Sequence, residues 1–314
     1  MKNQLSVKRR IYGIVLKCGI YLSAGITAAL LVSLIGYIFY RGLGNITWEL
    51  LTTARSALKD TIGILPNIIY TLYIILTTLV IALPVGVGAA IYLNEYAAHK
   101  WFVQVIEFAI ETLTGIPSII YGLFGYIFFR QKLGLGGSIL TGALTLVIMI
   151  LPTIVRTTQE ALKTVPDSYR EGAVALGATK WYMIRTLILP CSLEGVVGGA
   201  ILAIGRIVGE SAALIFTAGT GYAMVTNYFQ ALGTSGGTLS VALYVYVSEQ
   251  GKFDVGFAIA AILMIIVLVI NFAAKLVKKK LKNRNEDKVG ESYGYYKIKE
   301  LKPVLRQLPS LKRN

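Results

Sequence analysis

The chain has 314 residues, of which 55% are apolar and only 15% charged, against about 25% charged in an average soluble domain. With a mean hydropathy of +0.65, this argues against an ordinary soluble fold and for an all-α polytopic membrane protein. The net charge of +15 does not indicate a nucleic-acid partner, because thirteen of the 31 Lys/Arg residues lie from Lys275 onward and much of the rest flanks apolar runs.

The opening MKNQLSVKRR is basic, and a charge-free run of 23 residues, Cys18–Tyr40, follows it. That run is too long for a signal-peptide core of ~7–15 residues and long enough to span a bilayer, so it reads as a retained first helix. A second span is expected at Pro66–Leu93, a third within Thr112–Phe129 and a fourth within Leu133–Val155. The fifth starts near Leu187, carries Glu194, Arg206 and Glu210, and ends near Ala218. The sixth is Val255–Ala274. GIPSIIYG, with Gly115, Pro117 and Gly122, interrupts the third span; a kink relieved by Ser118 is expected there. The segment 219–254 reads as an external loop with too little length for a core of its own. Residues 276–314 read as a charged, solvated juxtamembrane stretch followed by a tail that is either largely disordered or docked on a partner or on lipid headgroups.

Six spans put both termini on one side. Placing the N-terminus inside gives 24 Lys/Arg on the inner segments and six on the outer ones, with Arg206 in a span. The termini are therefore expected in the cytoplasm. The resulting organisation is an N-terminal segment 1–17, a membrane domain 18–275 and a tail 276–314.

This topology puts REGAVALGATKWYMIRTLILP, Arg170–Pro190, in an inner loop of about residues 156–186. Asp167 or Ser168 can cap a helix there, and Ser168 with Glu171 matches a capping box. Gly177 allows a break, with a second helical piece from about Thr179. A short amphipathic helix on the membrane surface suits docking of a soluble partner.

Arg206 and Glu210 are the most informative polar residues. Each costs about 2.5–3.5 kcal/mol at a helix centre, so each is expected to face protein or water. Four residues apart, they share a helical face and can pair. Two readings stand. Arg206 supplies two-point recognition of an oxyanion, with Glu210 holding it, or the two form a structural ion pair. Glu194 reads as a structural residue near the inner interface. Gly195 with Gly199, and Gly205 with Gly209, are spaced for close packing of the fifth helix on a neighbour. Ser118 and Tyr121 are further candidates for the path.

No phosphate-binding G-x-x-x-x-G-K-[ST] loop occurs, nor any Ser/His/Asp or Cys/His set around the single histidine, His99. Cys18 and Cys191 suggest neither a disulfide framework nor a metal site. No cofactor is expected. The chain does not read as an enzyme.

EGAVALGATKWYMIRTLILP resembles the EAA loop of bacterial ABC importer permeases: Glu171, Gly172 and Ala173 open it, Gly177 follows, and Leu187, Leu189 and Pro190 close it. Gly172 replaces the family's first alanine and Leu187 its isoleucine. TLTGIPSIIYGLFG, AIGRIVGESAALIFTAG and AAIYLNEYA resemble the phosphate-specific transport permeases, nearer the PstA type than the PstC type. The resemblance implies a type I permease fold of six transmembrane helices in a bacterial plasma membrane. It implies a PstC-like second permease, two copies of a cytoplasmic ATPase and an extracytoplasmic phosphate-binding protein as partners. It also implies an ATPase-coupling role for Glu171, Gly172, Ala173 and Gly177. A permease for another oxyanion, such as sulfate or molybdate, is the alternative, and an ATP-independent anion channel or secondary transporter a weaker one.

Overall fold

The computed structural model describes residues 7–56 and 61–307, so expectations for residues 1–6, Lys59 and 308–314 lie outside the described residues. Five helices are long and apolar enough to cross a bilayer, and a sharply bent helix pair makes a sixth if taken as one span. The described residues fall into two compact units, 1–65 with 242–264, and 66–241 with 265–314.

In the first unit, α1 (Val7–Leu43) extends the first expected span at both ends. Its side chains are exposed along most of its length, as suits a helix meeting lipid or another subunit. Gly42 lets α1 approach the backbone of Phe257 and the methyl of Ala261, and Tyr37 meets the Phe257 ring edge-on. A short helix α2 (Trp48–Thr52), capped by the Thr47 hydroxyl, leads into a small hairpin of β1 (Ala54–Ser56) and β2 (Thr61–Ile64).

The second unit carries the bundle. Helix α3 (Leu65–Ile91) continues through a π-helical turn, Tyr92–Tyr96, matching the expected second span. The third span departs from expectation. Helix α4 (Lys100–Gly115) meets α5 (Ser118–Gly125, continued by a π-helical stretch to Lys132) at 100°. Pro117 thus ends one helix and opens another instead of kinking a single one. The Tyr121 hydroxyl, not Ser118, takes up a freed backbone group, donating to the Leu113 carbonyl at 2.7 Å.

Helix α6 (Ile139–Lys163), capped by Ser138, is the most buried span. It runs two turns past the expected end at Val155, so Arg156 and Lys163 lie on a helix and not in a loop. Two short helices follow, α7 (Asp167–Ala175) and α8 (Lys180–Met183). A π-helical turn, Ile184–Ile188, joins α8 to α9 (Leu189–Gly209). Pro190 has no N–H to donate, and the wider turn before it absorbs that missing bond. The fifth span is therefore one helical run, Lys180–Gly209. It ends nine residues before the expected Ala218, and α10 (Ala212–Thr217) follows the break.

Residues 219–254, expected as an open loop, hold two more helices, α11 (Tyr228–Leu232) and α12 (Leu239–Tyr244). Leu239 and Val241 are buried, the Leu239 N–H donates to the Thr71 hydroxyl, and the Tyr70 and Tyr73 hydroxyls donate to the Ala223 and Thr226 carbonyls. The polar rim of α3 supplies the hydrogen bonds an open loop would take from water. Finally, α13 (Phe253–Gln307) extends far beyond the expected Ala274, so residues 276–307 are helical where a largely disordered or docked tail was expected.

Glycines set the closest approaches in the bundle. Gly195 lies against Ala161 and Gly199 against Thr157, which packs α9 onto α6 of the same chain. A Cβ at Gly205 or Gly209 would meet nothing within 4 Å, so among the described residues the second pair of small residues sets no close approach.

Candidate functional site

The loop between α6 and α9 is built on local rules. Helix α7 starts at Asp167 with Pro166 at its N-cap, and no side chain caps it. The capping box expected from Ser168 and Glu171 is therefore not formed; the helix opens two residues earlier than that box requires, with Pro166 at its N-cap. The other end follows expectation. Gly177 adopts φ +78°, its N–H bonds the Val174 carbonyl at 2.9 Å, and the Ala178 N–H bonds Ala173 at 3.0 Å. That pair of bonds is a Schellman ending, which a Cβ at Gly177 would strain. Thr179 then caps α8 through the Tyr182 N–H.

One face of this rung is held and the other is free. Ala173 belongs to a buried apolar cluster with Ala90, Leu93, Leu162, Val165, Met183 and Ile184. Glu171 and Gly172 are exposed, as are Val174 and the 90%-exposed Leu176. Trp181 and Tyr182 of α8 are exposed as well, and several exposed apolar side chains on one short rung suit a protein partner.

Arg170 was legible only as one charge in the loop. It makes two bonds to the Glu95 carboxylate, at 3.0 and 3.3 Å, and bonds the Leu162 and Val165 carbonyls. Glu95 sits in AAIYLNEYA, whose lone carboxylate in an apolar stretch was the available signal; its partner, 75 residues on, could not be read from spacing.

The second group lies at the α9–α10 break. Arg206 is half-buried in the last turn of α9. Glu210 does not share its helical face. Helix α9 stops at Gly209, Glu210 is extended (φ −80°, ψ 120°), and its carboxylate accepts from the Ala213 N–H at 3.0 Å. The expected Arg206–Glu210 pair is replaced by a cap on the next helix. The backbone carbonyl of Glu210, freed by the break, accepts from the Ser240 hydroxyl at 2.7 Å. One backbone group on each side of the break, the Glu210 carbonyl and the Ala213 N–H, is thus satisfied by a side chain.

Among the described residues no carboxylate forms an ion pair with Arg206. Helix α5 reaches α10 closely because Gly122 faces the Ala213 backbone and Gly125 faces Thr145 and Thr217. Ser118, half-buried, opens α5 one turn before Tyr121. Beside Arg206, α9 presents Gly198, Gly205 and Gly209 with open space around them and an exposed Leu202. Glu194, farther down α9, pairs with Lys278 at 2.8 Å, in keeping with a structural role.

Comparison with known proteins identifies the architecture. Residues 82–284 match the family described as binding-protein-dependent transport system inner membrane component. The chain is similar to the probable ABC transporter permease protein YqgI of Bacillus subtilis, 36% identical over 276 residues, which covers 83% of this chain and 94% of that protein. It is also similar to the phosphate transport system permease protein PstA of Haemophilus influenzae, 32% identical over 238 residues, covering 75% and 83% respectively. A crystal structure of a bacterial ABC transporter involved in import of the acidic polysaccharide alginate shares the fold, with a TM-score of 0.58 at 15% identity over 86% of this chain and 99% of that one. The fold is that of a type I ABC importer permease, and the chain belongs to the family of binding-protein-dependent transport system inner membrane components.

Proposed function

We propose that the chain is the PstA-like permease subunit of an ATP-driven importer for inorganic phosphate. It forms half of the translocation path and receives the motion of a separate ATPase through α7 and α8. The observation that carries this reading is Arg206: a half-buried guanidinium that no carboxylate pairs with among the described residues, beside a break in a membrane helix. An unanswered charge within a membrane helix is costly, about 2.5–3.5 kcal/mol at the helix centre, so Arg206 calls for water or a ligand. A passing oxyanion answers it, and the planar guanidinium matches two phosphate oxygens at once.

Ser118 on α5 offers a hydroxyl on the same path, while the buried Tyr121 hydroxyl is committed to the Leu113 carbonyl. Glu210 holds α10 in place through the Ala213 N–H, and its negative charge near Arg206 keeps the anion's binding weak enough for release. The open glycine face of α9 suits a second, PstC-like permease across the path. The substrate class is supported by the likeness to phosphate permeases such as that of Haemophilus influenzae.

At the other end, Glu171, Gly172, Ala173 and Gly177 form the rung that docks on the ATPase. Lys/Arg distribution supports termini in the cytoplasm and the rung on the same side. An extracytoplasmic binding protein delivers the anion from the opposite side. The membrane domain is taken as residues 18–275.

The test is uptake of radiolabelled phosphate by the complex reconstituted in vesicles with its ATPase and binding protein. Uptake that requires ATP, resists excess sulfate and molybdate, and disappears in Arg206→Gln with the complex still assembled is expected. Normal uptake by Arg206→Gln would refute the path. Equal competition by sulfate or molybdate would turn the assignment toward another oxyanion.

A further inference from the structure

We infer that Arg170 and Glu95 form the joint through which movement of α7 reaches the membrane helix α3. The inference rests on the proposed docking of α7 to an ATPase. It names positioning residues for that coupling, which touch neither substrate nor nucleotide.

The geometry is specific. A guanidinium has five N–H donors in a rigid plane. In Arg170 all five are used. Nε and Nη2 donate to the Glu95 carboxylate at 3.3 and 3.0 Å. Nη2 also donates to the Leu162 carbonyl at 3.0 Å. Nη1 donates to the Val165 carbonyl at 2.8 Å and to the Asp167 carboxylate at 2.9 Å. Leu162 lies in the last turn of α6 and Val165 two residues beyond its end, so Arg170 adds side-chain donors to backbone carbonyls where the helix finishes. One side chain of α7 therefore ties the inner ends of α3 and α6 together. The same Glu95 oxygen also accepts from the Asn94 amide at 2.8 Å, which fixes the carboxylate.

Burial sets this pair apart. The Glu95 side chain is 5% exposed and that of Arg170 is 20% exposed. The pairs that tie α4 to α6, Glu107–Lys163 and Glu111–Arg156, are 4.0 and 3.9 Å long and exposed. Such surface pairs hold little. The apolar cluster under α7 resists separation, but apolar contact has no direction and permits sliding. A fully used planar fork fixes orientation, so a push on α7 turns α3 with it. Lysine, a point charge with three donors, cannot hold three elements in this way.

The experiment compares Arg170→Lys and Glu95→Gln with the unaltered chain in the complete complex, reconstituted with ATPase and binding protein. The readout is phosphate transported per ATP hydrolysed, normalised to assembled complex. ATP hydrolysis should stay within about twofold of the parent, while transport per ATP falls about tenfold or more in both variants. Glu107→Gln, which breaks an exposed pair, should leave the ratio unchanged. Glu95→Gln keeps the shape of the side chain and is the deciding variant should Arg170→Lys assemble poorly. A merely structural role lowers the amount of complex and leaves transport per ATP intact, and that result overturns the joint. If the unaltered complex hydrolyses ATP but moves no phosphate, the functional reading itself has failed, and the joint falls with it.

Discussion

Gly195→Ala places a methyl group on Ala161 of α6, whose Cα and Cβ are both fixed by the helix backbone. No rotamer change can relieve that contact, so α9 must move away from α6. The same change at Gly205 meets nothing within 4 Å. Both sites lie inside one helix, so both variants gain the roughly 1 kcal/mol by which alanine is favoured over glycine. Their difference cancels that gain and isolates the overpacking cost, about 1–3 kcal/mol for an added methylene in a well-packed interior. Gly195→Ala should therefore lower the stability of the isolated chain while Gly205→Ala raises it or leaves it unchanged. Titration with SDS in mixed micelles, followed by the fluorescence of Trp48, Trp101 and Trp181 and by helical circular dichroism, reads both midpoints. Coincident midpoints, or a reversed order, would refute the packing of α9 on α6. Repeating the pair in the assembled complex extends the test. There Gly205→Ala should become costly, because its face is proposed to meet the second permease.

Gly177→Val forces a branched side chain into φ +78°, a strain of about 1–2 kcal/mol, and should reduce co-purification of the ATPase about tenfold without lowering expression of the chain. Glu171→Arg reverses the charge on the exposed face of α7 and should abolish the same co-purification; a complex that survives and still couples contradicts the docking role. Glu210→Gln keeps an oxygen to accept from the Ala213 N–H and should retain the parent's thermal stability, whereas Glu210→Ala should lose about 1 kcal/mol in a thermal melt of the detergent-solubilised chain.

What could be read in advance followed from local chemistry. Four of the six spans, the first, second, fourth and sixth, were visible as charge-free runs, because bilayer thickness imposes their length. The break at Gly177 was visible because a helix ending of that kind needs a residue tolerant of positive φ. What stayed hidden depends on partners distant in sequence. Pro117 signals a disturbance, but only packing of Gly122 and Gly125 on α10 and Thr145 turns it into a 100° corner. Glu210 stands at the right spacing to pair with Arg206, and loses that partner because Ser240 and the Ala213 N–H make the α9 break better satisfied than a continued helix. The segment 219–254 looked too short to build a core of its own, yet it is held against α3, where Thr71, Tyr70 and Tyr73 bind its backbone. The same holds for Arg170, whose partner lies on α3.

The central claim is a cytoplasmic rung that a soluble motor grips, and the sidedness of Leu176 tests it most directly. With the exposed thiols removed as Cys18→Ser and Cys191→Ser, Leu176→Cys offers a single reactive site on a 90%-exposed position. A membrane-impermeant maleimide should label it in inside-out vesicles and not in right-side-out ones, and bound ATPase should protect it. Labelling from the outer side, or labelling indifferent to the ATPase, would contradict the account.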